Sequence, residues 1–123
     1  MFSVTRTGVL LLALALPARA GDLQLLMVEA PGCAWCARWD AEIAPQYPLT
    51  EEGRAAPLLR TRLREPVPEG VVLARPATFT PTFVLLSNGQ ETGRLEGYPG
   101  PDFFWPMVQD LIRKAGQDPP DDP

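Results

Sequence analysis

The distribution of apolar positions divides this chain into short elements. Leu23–Val28 (LQLLMV) is an almost unbroken apolar run ending at Glu29, which predicts a buried first strand. Ala30-Pro31-Gly32 reads as a turn. From Cys33 to about Ala44 the spacing changes to three and four. Cys36, Trp39 and Ile43 share one face, while Arg38, Asp40 and Glu42 can face water, so a helix is predicted. Pro45 and Pro48 end it, and Thr50-Glu51-Glu52 can cap a short helical turn before Pro57. Leu58–Leu63 (LLRTRL) alternates apolar and polar as a second strand. Residues 64–78 read as a connector, with Pro66, Pro68, Gly70 and Pro76; a connector of that length is often functional or hides a short element. Thr82–Ser87 (TFVLLS) is a third strand. Asn88-Gly89 then predicts a hairpin, because both central positions of such a turn need positive φ, and Glu91–Glu96 pairs back. After the turn Gly97-Tyr98-Pro99-Gly100, Asp102 can cap a last helix to about Ala115. Its expected buried face is Phe104, Met107, Val108, Leu111 and Ile112. Pro106 predicts a late start or a kink, and Gly116 the end.

The order β-α-β, connector, β-β-α implies a parallel pair extended by an antiparallel hairpin. The expected fold is therefore a single α/β domain with a mixed central sheet flanked by helices. The length of 123 residues agrees with one domain, and 46% apolar residues is too many for a disordered chain. A formal charge of −4 leaves no basic surplus for nucleic acid. Histidine is absent, which excludes Ser-His-Asp and Cys-His catalysis and any imidazole metal site.

The first twenty residues read as an export signal. Arg6 precedes the nine-residue apolar run Gly8–Leu16, and Ala18-Arg19-Ala20 gives an A-x-A cleavage pattern, with cleavage expected after Ala20. Nine apolar residues are too few against the ~20 that span a bilayer. Residues 21–116 form the expected domain, and 117–123 an acidic, proline-rich tail. Without Arg6 and Arg19, nine basic residues face fifteen acidic ones, a charge of −6. No other apolar segment is long enough to span a membrane, so an unanchored, exported protein in an oxidising compartment is expected, where disulfides persist.

Cys33-Ala34-Trp35-Cys36 stands at the strand-to-helix junction. A thiol there meets free backbone N–H groups and the positive end of the helix dipole, which favour thiolate. A second thiol about one turn on can attack a mixed disulfide made by the first, so the pair supplies attacking and resolving sulfurs with no cofactor and no metal. Two other readings stand beside this one. A purely structural bridge is possible but closes a loop too short to remove much chain entropy. A zinc site would need ligands from a second chain. Pro81 directly precedes the third strand; on its own it reads as a trans proline that delays strand entry, with a cis Thr80–Pro81 bond as the alternative. Trp35 can contact a partner or pack on the loop before Pro81. Glu29 can act as a proton acceptor or simply end a strand in water. Trp39 and Trp105 read as core, and Tyr98 as a packed turn aromatic that can border the active face.

Four stretches carry a resemblance: Val28–Pro45 (VEAPGCAWCARWDAEIAP), Glu52–Pro57 (EGRAAP), Phe79–Phe83 (FTPTF) and Gly93–Gly100 (GRLEGYPG). Together they resemble the thioredoxin-fold family and, more narrowly, the periplasmic SoxS-type thioredoxins of bacterial sulfur-oxidation systems. The resemblance implies a periplasmic thiol–disulfide reductase with Cys33 attacking, Cys36 resolving, Pro81 as a cis-proline and Trp35 as the aromatic often found in the motif; Trp35, Thr80 and Pro81 are the expected substrate contacts. It implies a protein disulfide substrate, a sulfur-carrier protein with blocked cysteines, and a membrane thiol transporter of the DsbD or CcdA type as electron donor. Some members are labelled regulatory. A general reductase, as for cytochrome c maturation, and a non-enzymatic regulatory or binding module are the alternatives. Two departures from ordinary thioredoxin stand out. Gly32 and Ala34-Trp35 replace its Trp and Gly-Pro, and Met27 stands where it has a buried Asp; both bear on redox potential.

Overall fold

Strand parity organises the molecule, described here by a computed structural model over residues 8–10 and 22–116. The expected export signal, apart from 8–10, and the tail lie outside the described residues. The elements are β1 (Leu23–Glu29), α1 (Ala34–Glu42), a 3-10 turn (Tyr47–Leu49), α2 (Glu51–Ala55), β2 (Leu58–Arg62), β3 (Thr82–Ser87), β4 (Gln90–Glu96) and α3 (Pro101–Ala115). The sheet order is β2-β1-β3-β4. β1 runs parallel to β2, with Leu25 opposite Leu58, and antiparallel to β3, with Met27 opposite Phe83. β4 pairs antiparallel with β3 through the Asn88-Gly89 turn, where φ is 52° and 81°.

Because β1 and β3 are central, both of their faces are covered, which is why they read as nearly continuous apolar runs. Leu25, Met27, Phe83 and Leu85 project to the face carrying all three helices, together with Cys36, Trp39, Ile43, Tyr47, Phe104 and Val108. Leu26, Val28, Val84 and Leu86 project to the other face. There the long connector supplies the cover: Leu63, Val71, Leu73 and Ala77 pack on it, and Val72 bridges to Gln90. The sheet is thus flanked by helices on one side and by the proline-rich connector on the other. Prolines rule out a helix in this stretch, and its apolar residues still exclude water from the sheet.

Trp39 is the centre of the helix-side core. Its ring lies 5.2 Å from Phe83, 5.8 Å from Phe104 and 6.4 Å from Tyr47, tilted or edge-on. Such aromatic pairs add about 0.5–1.5 kcal/mol each beyond area burial. Trp105 is only partly buried, stacked on Tyr47 at 6.1 Å. Tyr47 donates to Ala56 O at 2.6 Å and closes α2 against the sheet. As expected, Thr50 caps α2, accepting from Gly53 N at 3.0 Å. A β-carbon at Gly53 would stand 1.8 Å from Tyr47 O, so only glycine fits there.

Three expectations about the helices need correction. α1 stops at Glu42 rather than Ala44: Ile43 and Ala44 both donate to Trp39 O, and the second bond, reaching five residues back, widens the last turn and takes the chain out of the helix. Asp102 is not the cap of α3. The helix starts earlier, at Pro101, with Gly100 at the cap position and Asp102 in the first turn. Proline suits that first position, since its missing N–H would have no helical partner, and Asp102 there faces the positive dipole end. Pro106 therefore does not delay the start, and the chain stays helical through it. The bond it cannot make falls on Asp102, which is exposed, so water can solvate the freed carbonyl.

Candidate functional site

β1 delivers the chain to the cysteine pair. After Glu29, Ala30-Pro31-Gly32 turns back, with Cys33 N–H donating to Ala30 O at 3.3 Å. Cys33 is then the cap residue of α1, extended at φ −78° and ψ 105°, and its Sγ accepts the backbone N–H of Cys36 at 3.1 Å. The sulfurs are bonded, with Cα atoms 5.2 Å apart. Cys36 is buried in the helix-side core while Cys33 is half-buried. One sulfur can therefore be reached from outside and the other is reached through it.

Two concavities border the Cys33–Cys36 segment, and the first of them contains both cysteines. The first, about 390 Å³, is lined by Glu29, Gly32, Cys33, Cys36, Ala37 and Asp40. Its carboxylates are tied together by Arg60 of β2, which donates to Glu29 Oε2 at 2.6 Å and to Asp40 Oδ1 at 2.7 Å. The guanidinium also lies 5.5 Å from the centre of the Trp39 ring. Hydrogen bonding to Asp40 leads the effects that hold the Arg60 pKa above its ordinary value. Glu29 is thus neither a free strand end nor an isolated base: it faces the cysteine cleft with a fixed counter-ion.

The second is a groove of about 400 Å³ whose walls include Trp35, Thr80, Pro81, Leu95, Tyr98 and Met107. The Thr80–Pro81 peptide bond is cis. Pro81 is buried and Thr80 half-buried. Trp35 is 53% exposed, with Arg38 Cζ 5.4 Å from its ring centre, so it borders the groove rather than packing into the core. Met107, expected in the core face of α3, is 43% exposed and lines this groove. Phe104 and Val108 occupy the buried stripe, and Met107 sits one step round the helix from it. Tyr98 is both a packed turn aromatic and a groove wall. A larger concavity, about 740 Å³, lies at the other end of the sheet, among Asp22, Gly70 and Asn88, away from the cysteines.

No family model and no curated protein matches the chain. Among solved structures, the chain is similar to the crystal structure of the periplasmic thioredoxin SoxS from Paracoccus pantotrophus in its reduced form. The two are 68% identical over 76% of this chain and 99% of that one, with a TM-score of 0.75. The chain belongs to the SoxS-type thioredoxins. A thioredoxin from Malassezia sympodialis, 18% identical over 75% of this chain and 77% of its own with a TM-score of 0.51, shares the fold. As a SoxS-type thioredoxin with its C-x-x-C cysteines at disulfide distance, the protein is a thiol–disulfide oxidoreductase. Its similarity to a periplasmic thioredoxin supports periplasmic location.

The SoxS-type site differs from ordinary thioredoxin where the sequence indicated. Met27 is fully buried in the core that holds Cys36, so an apolar side chain stands beneath the pair. The carboxylates that reach the cleft, Glu29 and Asp40, come from its rim. Asp40, Arg60, Glu42 and Met107 were not singled out for the site from sequence. The Arg38–Glu42 spacing of four was a readable signal. Arg60 was readable only from strand parity, which puts it on the same face as Leu58 once α1 is known to cover that face.

Proposed function

We propose that this protein is a periplasmic reductase of cysteine adducts on a partner protein, the sulfur-carrier protein of a sulfur-oxidation pathway. The observation that carries the chemistry is the position of Cys33, half-buried at the start of α1, with the Cys36 N–H directed at its sulfur. In the reduced protein, Cys33 thiolate attacks the partner's disulfide-type sulfur and expels the other sulfur as a thiolate, which takes a proton from solvent. Cys36 then loses its proton and attacks Cys33, releasing the partner thiolate and forming the Cys33–Cys36 bond. Two electrons pass to the partner. Glu29, which lines the cleft with both cysteines, is the candidate acceptor of the Cys36 proton. Trp35, Thr80 and Pro81 are the candidate partner contacts. A membrane thiol transporter of the DsbD or CcdA type returns two electrons to the pair.

The test is to trap the intermediate. Cys36→Ser expressed in the exporting cell, with thiols quenched in acid, is expected to carry one dominant disulfide adduct at Cys33 with the sulfur carrier. Adducts with many unrelated proteins would leave a general reductase. No adduct, with wild-type cysteines resistant to mild reductant, would favour a regulatory module.

A further inference from the structure

One carboxylate joins the helix that carries the cysteines to the far wall of the groove. Glu42 Oε1 accepts from Arg38 Nε at 2.6 Å, and Glu42 Oε2 accepts from the Tyr98 hydroxyl at 2.7 Å. Arg38 in turn lies over the Trp35 ring. Trp35 and Tyr98 both line the groove that holds Thr80 and Pro81. The path Trp35–Arg38–Glu42–Tyr98 therefore runs from one wall to the other, outside the disulfide.

We propose that Glu42 is a positioning residue for partner binding: through Arg38 it fixes the indole of Trp35, and through Tyr98 it fixes the turn before α3. The proposal rests on the reading of the protein as a reductase of polypeptide disulfides, and adds which residue shapes its groove for them.

Three observations support it. Trp35 is largely exposed on the first turn of α1, so the Arg38 guanidinium is what restrains its ring. The guanidinium is itself aimed by Glu42, four residues on along the helix. Tyr98 is buried, with its ring edge-on to Phe104 at 6.0 Å, so its hydroxyl needs a partner, and Glu42 is that partner from a different element. Hydrogen bonds from Arg38 and then Tyr98 hold the Glu42 pKa below the ordinary carboxylate value, keeping it charged at neutral pH. Neither cysteine takes part in this path, so its loss should change how a partner docks and not how fast sulfur reacts.

The reduced protein can be tested with two thionitrobenzoate-releasing disulfides. One is a decapeptide with a central cysteine bearing the chromophore. The other is 5,5′-dithiobis(2-nitrobenzoate), too small to span the groove. Glu42→Gln keeps the side-chain size and an acceptor for Tyr98 but loses the charge that aims Arg38. It is expected to raise the half-saturating peptide concentration about fivefold, with the saturating rate and the small-disulfide rate unchanged. Tyr98→Phe removes the other arm and should also raise the half-saturating peptide concentration; because the two substitutions break different arms of the path, the double variant should be close to multiplicative. An unchanged half-saturating concentration in both variants would overturn the proposal. So would a parallel fall in the small-disulfide rate, which marks general disruption. Failure of the wild-type protein to release chromophore from either compound would instead overturn the reductase reading beneath it.

Discussion

The backbone N–H of Cys36 points at the sulfur of Cys33 from 3.1 Å. That relationship exists because Cys33 is the cap of α1, where an extended residue turns its side chain onto the first free N–H groups. In the reduced protein the same N–H donates to a thiolate, and the helix dipole adds to it. The Cys33 thiol is therefore expected to ionise below the ~8.5 of a free cysteine. Thiolate absorbance at 240 nm in Cys36→Ala, followed against pH, measures this directly; a midpoint at or above the free value would refute it.

Glu29 stands in the cysteine cleft bound to Arg60. If it receives the proton of Cys36, then Glu29→Gln slows resolution of a preformed mixed disulfide about a hundredfold near neutral pH, the low end of the usual range for losing one acid–base group. Alkylation of Cys33 should stay at the wild-type rate. Equal resolution rates across pH in the two proteins would remove Glu29 from the mechanism.

Arg94 anchors the connector that leads into Thr80 and Pro81. Only 7% of its side chain and of its partner Glu91 is exposed, and the two are 2.5 Å apart. Glu91 also accepts from Ala74 N at 2.6 Å, and Arg94 donates to Arg75 O at 2.7 Å. Arg94→Met would leave Glu91 buried without its counter-ion, at a cost of about 3 kcal/mol. Urea unfolding should show that loss, and a midpoint within error of wild type would show that the pair contributes nothing.

Two sets of groups give stability opposite pH limits. Burial raises the Tyr47 pKa, helped by the nearby charge of Glu52; burial and then the hydrogen bond to Glu42 raise that of Tyr98. A folded pKa above the unfolded value of about 10 means stability that is complete below that pH and lost as pH rises past it. Glu42, Glu52 and Glu91 are shifted the other way, led by hydrogen bonds from Arg38, Gln109 and Arg94 respectively. Their contribution is complete above the unfolded value of about 4.3 and is lost as pH falls below it. Urea midpoints should accordingly be flat between about pH 5 and 9 and fall on both sides. Tyr98→Phe should soften the alkaline fall, and an unchanged alkaline limb would assign it elsewhere.

Much of this was legible along the chain because the signals are local. β1 and β3 are continuous apolar runs, Asn88-Gly89 supplies two consecutive positive φ values, and Cys33 with Cys36 sits where a strand meets a helix. None of these depends on a distant residue. The start of α3 was misplaced for a related reason. Asp102 and Pro101 are both good first-turn residues, and local preference does not say which stands at the cap.

How distant residues meet was set by packing. Parity and the crossover through α1 bring Arg60 to Glu29 and Asp40 across 31 and 20 positions, and the turn before α3 brings Tyr98 to Glu42 across 56. Met107 lies in the groove rather than the core because the fully buried stripe of α3 is Phe104 and Val108, with Met107 beside it. The strands, the hairpin and the redox pair are written locally along the chain, since short-range sterics and periodicity specify them. The surroundings of that pair, its tethered carboxylates and its groove, follow from packing, where each side chain's neighbours are chosen by the whole fold.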